Sequence, residues 1–328
     1  LVLGVLDATE LVRVWHVLLI SSLLGLVQGF DFPARSSIFP ALIHKNQMMS
    51  AVSLNSILWQ GSRMILPAIG GFLISITDTS LIFFICGIGF LCMMTVLLTL
   101  EIRQDNHADD APWYEFKEGV KFVLNNRLFL TLILLSWISM FFGTSYVQIM
   151  PLFADMLQSG EQGFGLLISA TGVGSIIGNL FISRYQLSRK LGKMMLSSAA
   201  MAPCSLIGFS LVSWILAGTP VAFWIACGFA IFASALSSVF LVSSMTVLQI
   251  KVPDAFRGRV MGIHSITFSM ISLGGLAAGV LAAQFSAPTA VVIGAFVVLS
   301  SVIWVMFKVS EIAILDLNLQ SKHAESFK

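Results

Sequence analysis

The sequence predicts an all-α polytopic membrane protein, and three observations predict it. Charged residues make up 10% of the 328 and hydrophobic ones 57%, with a mean hydropathy of +0.93. A soluble domain carries about 25% charge, so this chain has too little polar surface for water. About nine stretches are apolar and long enough to cross a bilayer: 14–30, 51–76, 79–100, 128–153, 164–183, 194–214, 221–248, 260–284 and 288–307. Lipid offers no partner for backbone polar groups, so repeated apolar runs of about 20 residues mean helices rather than a barrel. The third observation is the basic residues, which fall in alternate gaps. One set of gaps and the tail hold Arg35, Lys45, Arg103, Lys117, Lys121, Arg127, Arg184, Arg189, Lys190, Lys193, Lys251, Arg257, Arg259, Lys308, Lys322 and Lys328. The other set holds Arg13 alone, and Arg63 lies inside a span. Lys and Arg are retained on the cytoplasmic side during insertion, so this asymmetry predicts a multi-pass inner-membrane protein with a cytoplasmic C-terminus. The net charge of +2 arises in those loops and gives no support to a nucleic-acid partner.

The elements follow in order. Leu1–Leu6 reads as the end of an earlier span, and the chain opens without a Met. With basic loops inside, about three spans are expected before the nine, this remnant closing the third of them, which would make twelve. Residues 1–100 form the remainder of a first helical bundle, with its second and third spans separated only by Thr77-Asp78. Residues 101–127 are polar and form a cytoplasmic linker. Within the linker Trp113, Phe116, Val120, Val123 and Leu124 recur at helical spacing, with Glu115, Lys117, Glu118 and Lys121 largely around the other face. That is an amphipathic surface helix. Six spans across 128–308 form a second bundle, and 309–328 is a cytoplasmic tail.

Few residues within the spans carry chemistry. Arg63 sits about midway along its span, where a cation costs at least ~2.5 kcal/mol unless it faces a cavity or a partner. It either binds an anionic substrate group or coupling carboxylate, or ties structurally to carbonyls near Pro67. Pro67 removes a backbone donor, while Gly70 and Gly71 permit close helix approach. Asp31 and Arg35 lie one helical turn apart across Pro33, forming a local pair or a charge relay at a gate. Gly165, Gly172, Gly174 and Gly178 recur every few residues within an apolar run, which points to close packing rather than a nucleotide loop. Cys86, Cys92, Cys204 and Cys227 all fall inside spans without a metal spacing. His16 and His264 sit near the two interfaces, where satisfied polar contacts are expected. No Walker sequence is present, so neither ATP driving nor a cofactor is expected. With acids almost absent from mid-span, an enzyme is not expected either.

Three stretches resemble the major facilitator superfamily, in its enterobactin-exporter-like and macrolide-efflux-like branch. One runs from Asp31-Phe-Pro-Ala-Arg-Ser-Ser37 through Ala51-Val-Ser-Leu-Asn-Ser56 to Arg63-Met-Ile-Leu-Pro-Ala-Ile-Gly-Gly71. The second is Glu118-Gly-Val-Lys-Phe-Val123 with Arg127. The third is Gln249-Ile-Lys-Val-Pro-Asp254, with Arg257-Gly-Arg-Val-Met-Gly262 and Gly274-Gly275. The resemblance implies that the spans are family helices four to twelve, with one, two and most of three absent. It also implies a monomeric secondary transporter that exports a siderophore, macrolide or similar amphipathic small molecule in exchange for protons. An importer of the same fold, or a non-transporting remnant, remains the alternative. Efflux members carry Gly-Pro-x-x-Gly-Gly in helix five; here Leu66 precedes Pro67, so only Pro67, Gly70 and Gly71 match. Gate positions implied are Asp31, Arg35, Pro67, Gly70, Gly71, Asp254, Arg257 and Arg259. Helices one, four, seven and ten line the family's cavity, which directs attention to Gln28, Trp137, Tyr146, Gln148, Phe240, Ser243 and Ser244.

Overall fold

The structure, a computed structural model, describes residues 1–41, scattered positions between 58 and 76, and then 77–99, 112–185, 191–253 and 256–308. Among these residues all regular structure is helical. Eight helices are long and apolar enough to cross a membrane. They coincide with the expected spans within a few residues, and 51–76 lies largely outside the described residues.

The chain divides into two units, Leu1–Ala108 and Asp109–Lys328. In the first, α1 (Val2–Ala8), α2 (Val14–Ala41) and α3 (Thr79–Leu98) are described. Gly4 lets α1 lie against Phe83 and Phe84, Leu1 rests on Gly87, and Thr79 hydrogen-bonds the Asp7 carboxylate. Most described side chains of α2 and α3 away from that contact are apolar and exposed, with no buried residue on α3.

The second unit begins with α4 (Pro112–Asn125) and continues in six spans. The first span is α5 (Arg127–Ile138), a π-helical turn (Ser139–Thr144), a 3₁₀ turn (Ser145–Ile149) and α6 (Met150–Met156). Then come α7 (Gly160–Tyr185), α8 (Leu191–Ile215) and α9 (Pro220–Lys251). The fifth span joins α10 (Arg257–Ser265) through a 3₁₀ turn to α11 (Ser269–Gln284), and α12 (Ala287–Lys308) closes the bundle. The sequence sets the boundaries. Gln158 and Gly160 adopt left-handed φ of 53° and 59° between α6 and α7, and Gly218, at 79°, reverses the chain before α9. Thr219 then caps α9 by accepting from the Ala222 amide, with Pro220 at the first helical position. Pro253 forces Val252 into an extended conformation (φ −75°, ψ 133°), which ends α9.

Periodicity predicts one continuous helix over 128–153, and the structure breaks it. Pro151 removes an amide at the start of α6. At the π turn, Gly274 and Gly294 allow α11 and α12 to reach its backbone. A Cβ on Gly274 would overlap the Phe141 carbonyl oxygen, and one on Gly294 would lie 2.7 Å from that of Phe142.

The core of this bundle forms two clusters. One gathers Val123, Phe129, Leu132, Leu196, Val247 and Val260, and the other Tyr146, Phe153, Phe209, Ala226 and Ala230. Bulky side chains such as Trp214, Trp224, Phe232, Phe296 and Trp304 point outward, as a lipid-facing surface requires. Antiparallel succession puts Arg127, Arg184, Lys193, Lys251, Arg259 and Lys308 at one end of the bundle and Asp155 and Glu161 at the other.

Candidate functional site

At the basic end, α4 docks onto the start of α10. Gly119 faces Arg259 so closely that an added Cβ would lie 2.8 Å from the arginine Cβ. The backbone of α4 can therefore approach, and Arg259 Nη1 donates to the Glu118 carboxylate at 2.5 Å. Phe122, one turn further along α4, stacks on Phe256 with centroids 4.5 Å apart and planes at 12°. The Arg259 guanidinium lies 5.6 Å from the centroid of that Phe256 ring. Charge, stacking and backbone fit thus converge on one clamp, built from two of the stretches that carried the family resemblance. Beside it, Arg127 Nη2 donates to the Lys308 carbonyl at 3.0 Å, joining the first span of the bundle to the last.

Sequence reasoning placed Arg259 at this end but missed its partner. Glu118 was expected on the solvated face of α4, and it meets α10 instead; Leu124, expected on the packed face, is exposed. Hydrophobic periodicity alone misassigns this helix because its packed face is completed by an ion pair. The available signal was Glu118 and Phe122 at i, i+4, which places them on one face.

The other gate candidates are described less fully. Asp31 is half-buried on α2, and Arg35 lies on the same helix with its side chain outside the described residues. Gly70 is helical, and nothing described lies within 4 Å of its Cβ position. Arg63, Pro67, Gly71 and Asp254 lie outside the described residues, as does the side chain of Arg257.

Six of the cavity candidates lie in the second unit. Tyr146 is buried, its ring 5.8 Å from that of Phe209. Phe240, Ser243 and Ser244 are also buried within this bundle's own packing. The Ser244 hydroxyl meets that of Ser136 on α5 at 3.2 Å. Trp137 is half-buried on the same helix as Ser136. Among the described residues, the Trp137 Nε1 and Ser243 Oγ atoms have no protein partner. Gln148 is exposed, its Cγ 2.6 Å from a Cβ built on Gly275. Gln28 is exposed on α2 of the first unit.

Glycines and serines join α7 to α9. A Cβ on Gly174 or Gly178 would overlap the carbonyl oxygen of Ile231 or Ala235, so the two backbones touch one turn apart. Ser234 donates to the Thr171 carbonyl at 2.6 Å and meets the Ser175 hydroxyl at 2.8 Å. The close packing expected of this glycine run is present at these two positions. Among the described residues no group of His, Cys, Asp and Glu is placed to hold a metal, and the four cysteines are free.

Comparison with known proteins decides the family. Residues 1–327 match the family described as transmembrane secretion effector. The chain belongs to that family. Helical and multi-span among the described residues, its architecture is that of the major facilitator superfamily, a superfamily of transporters. It is 27% identical over 269 residues to the enterobactin exporter EntS of Escherichia coli O1:K1 / APEC, covering 78% of this chain and 62% of that protein. The enterobactin exporter EntS of Shigella boydii serotype 18 is 27% identical over the same length, with the same coverage. The chain therefore spans 62% of the length of these curated relatives. It is a multi-pass inner-membrane protein.

Proposed function

We propose that the protein to which this chain belongs is a secondary active exporter of an amphipathic small molecule, of the siderophore or macrolide kind. The observation that carries this reading is the family match along residues 1–327, strengthened by relatives named as enterobactin exporters. Transport proceeds by alternating access, with proton exchange as the driving reaction and a monomer as the working unit. The two halves divide within residues 101–127, and the basic end and the C-terminus face the cytoplasm. Arg63 supplies the intramembrane charge for coupling or substrate binding. Pro67, Gly70 and Gly71 kink and seal one gate, while Asp31, Arg35, Asp254, Arg257 and Arg259 act at its cytoplasmic mouth. Gln28, Trp137, Tyr146, Gln148, Phe240, Ser243 and Ser244 serve the substrate cavity or its support. The Ser136–Ser244 contact and the burial of Tyr146, Phe240, Ser243 and Ser244 favour support for these four buried residues.

The test uses the full-length protein in everted membrane vesicles. A proton gradient, acid inside, should drive uptake of a catecholate siderophore or a macrolide, and a protonophore should abolish it. Uptake that ignores the gradient removes the proton. Siderophore movement only in right-side-out vesicles makes the protein an importer, and no movement of either compound leaves the export reading without a substrate.

A further inference from the structure

Inside the second bundle, the π turn of the first span, α8, α9 and α12 line a cavity of about 20 Å³. Most of its wall is apolar, with Met140, Leu206, Phe240 and Val298 among the lining residues. Two groups in the wall nevertheless require a hydrogen bond. Ser139 Oγ is buried and has no protein partner among the described residues. The Ala199 carbonyl would ordinarily accept from the amide four residues later on α8, and that residue is Pro203, which has none. Ser139, Ala199 and Pro203 all line the cavity, so both needs lie beside the same small volume.

We propose that this cavity is a resident water site. One water donates to the Ala199 carbonyl and shares a hydrogen bond with Ser139 Oγ, and the Thr144 and Ser237 hydroxyls in the same wall supply further partners. The volume suits this occupant: a water needs roughly 10–15 Å³ and two to four polar partners. A larger solute does not fit, and among the described residues no charged side chain lines the wall to hold an ion. Proline in a membrane helix is tolerated where water or side chains satisfy the backbone group it frees. The water would join the freed carbonyl of α8 to the π turn facing it. This inference is independent of the direction or substrate of transport.

Radiolytic hydroxyl-radical labelling in ¹⁸O water, on the full-length protein in lipid nanodiscs, tests it. Radicals formed from a bound water oxidise the side chains that touch it. Met140 lines the cavity, whereas Met150 and Met195 are fully buried and do not. Met140 is expected to oxidise at least about tenfold faster than either and to incorporate ¹⁸O. Ser139→Ala, which deletes one partner of the water, should lower Met140 labelling several-fold and leave Met195 unchanged. Equal rates at the three methionines in the unmodified protein would mean a dry cavity and overturn the proposal, whether or not the variant folds. Fast Met140 labelling that survives Ser139→Ala would trace to access from the surface and overturn it as well.

Discussion

The Arg259–Glu118 pair shows how little a contact's length alone says about its strength. At 2.5 Å the pair is short, yet its side chains are 24% and 39% exposed, so solvent screening limits it to about 1 kcal/mol or less. Most of the docking must come from Gly119 and the Phe122–Phe256 stack. Glu118→Arg should therefore weaken α4 docking, measured as faster backbone hydrogen exchange over 117–125, and adding Arg259→Glu should largely restore protection. Failure of the double variant to recover would mean that Arg259 acts through its contact with Phe256 rather than through charge. Arg63 belongs to the same scale but a different argument. An arginine at mid-membrane costs at least ~2.5 kcal/mol, and under the proposed coupling role that cost is offset by function. Arg63→Ala in the full-length protein should abolish transport while membrane abundance stays within about twofold. A collapse in abundance would instead mark a structural tie.

At the scale of elements, the α7–α9 contact rests on missing side chains. Gly174→Val would drive a branched Cβ into the Ile231 carbonyl and cost about 1–3 kcal/mol by overpacking. The expected readout is a lower thermal midpoint in detergent, whereas Gly228→Ala, with nothing within 4 Å of its Cβ position, should leave the midpoint unchanged. Gly274→Ala should resemble Gly174→Val, because the π turn presents the Phe141 carbonyl there. The span limits were legible in the sequence because a long apolar run between Pro, Gly and charge has one solution in lipid. The π and 3₁₀ turns were not. The π turn lies where Gly274 and Gly294, more than a hundred residues away in the chain, admit its backbone carbonyls, and a local pattern cannot encode that. The candidate site divides in the same way. Arg259 announced itself by charge and position, whereas Ser136, Ser139 and Pro203 looked like any small or kinked residue until their neighbours were known.

For the whole molecule, charge distribution makes the strongest claim. The described basic residues of the second unit gather at one end, and under the proposed orientation that end is cytoplasmic. In a cysteine-free background, Ser326→Cys should react with a membrane-impermeant maleimide only after the cells are permeabilised. Glu161→Cys, at the opposite end, should react in intact cells. The reverse pattern would invert the topology, and with it the direction assigned to transport.

The bond from Arg127 to the Lys308 carbonyl bears on how the bundle is made. The two residues are 181 positions apart, and chains grow at about 5–20 residues per second. Arg127 is synthesised and delivered to the membrane surface roughly 10–35 s before its acceptor exists. During that interval the first span of the bundle waits beside the ribosome without its partner. The bundle's ring closes only when the final helix leaves the translocon, so this one hydrogen bond reports that synthesis of all six spans is complete.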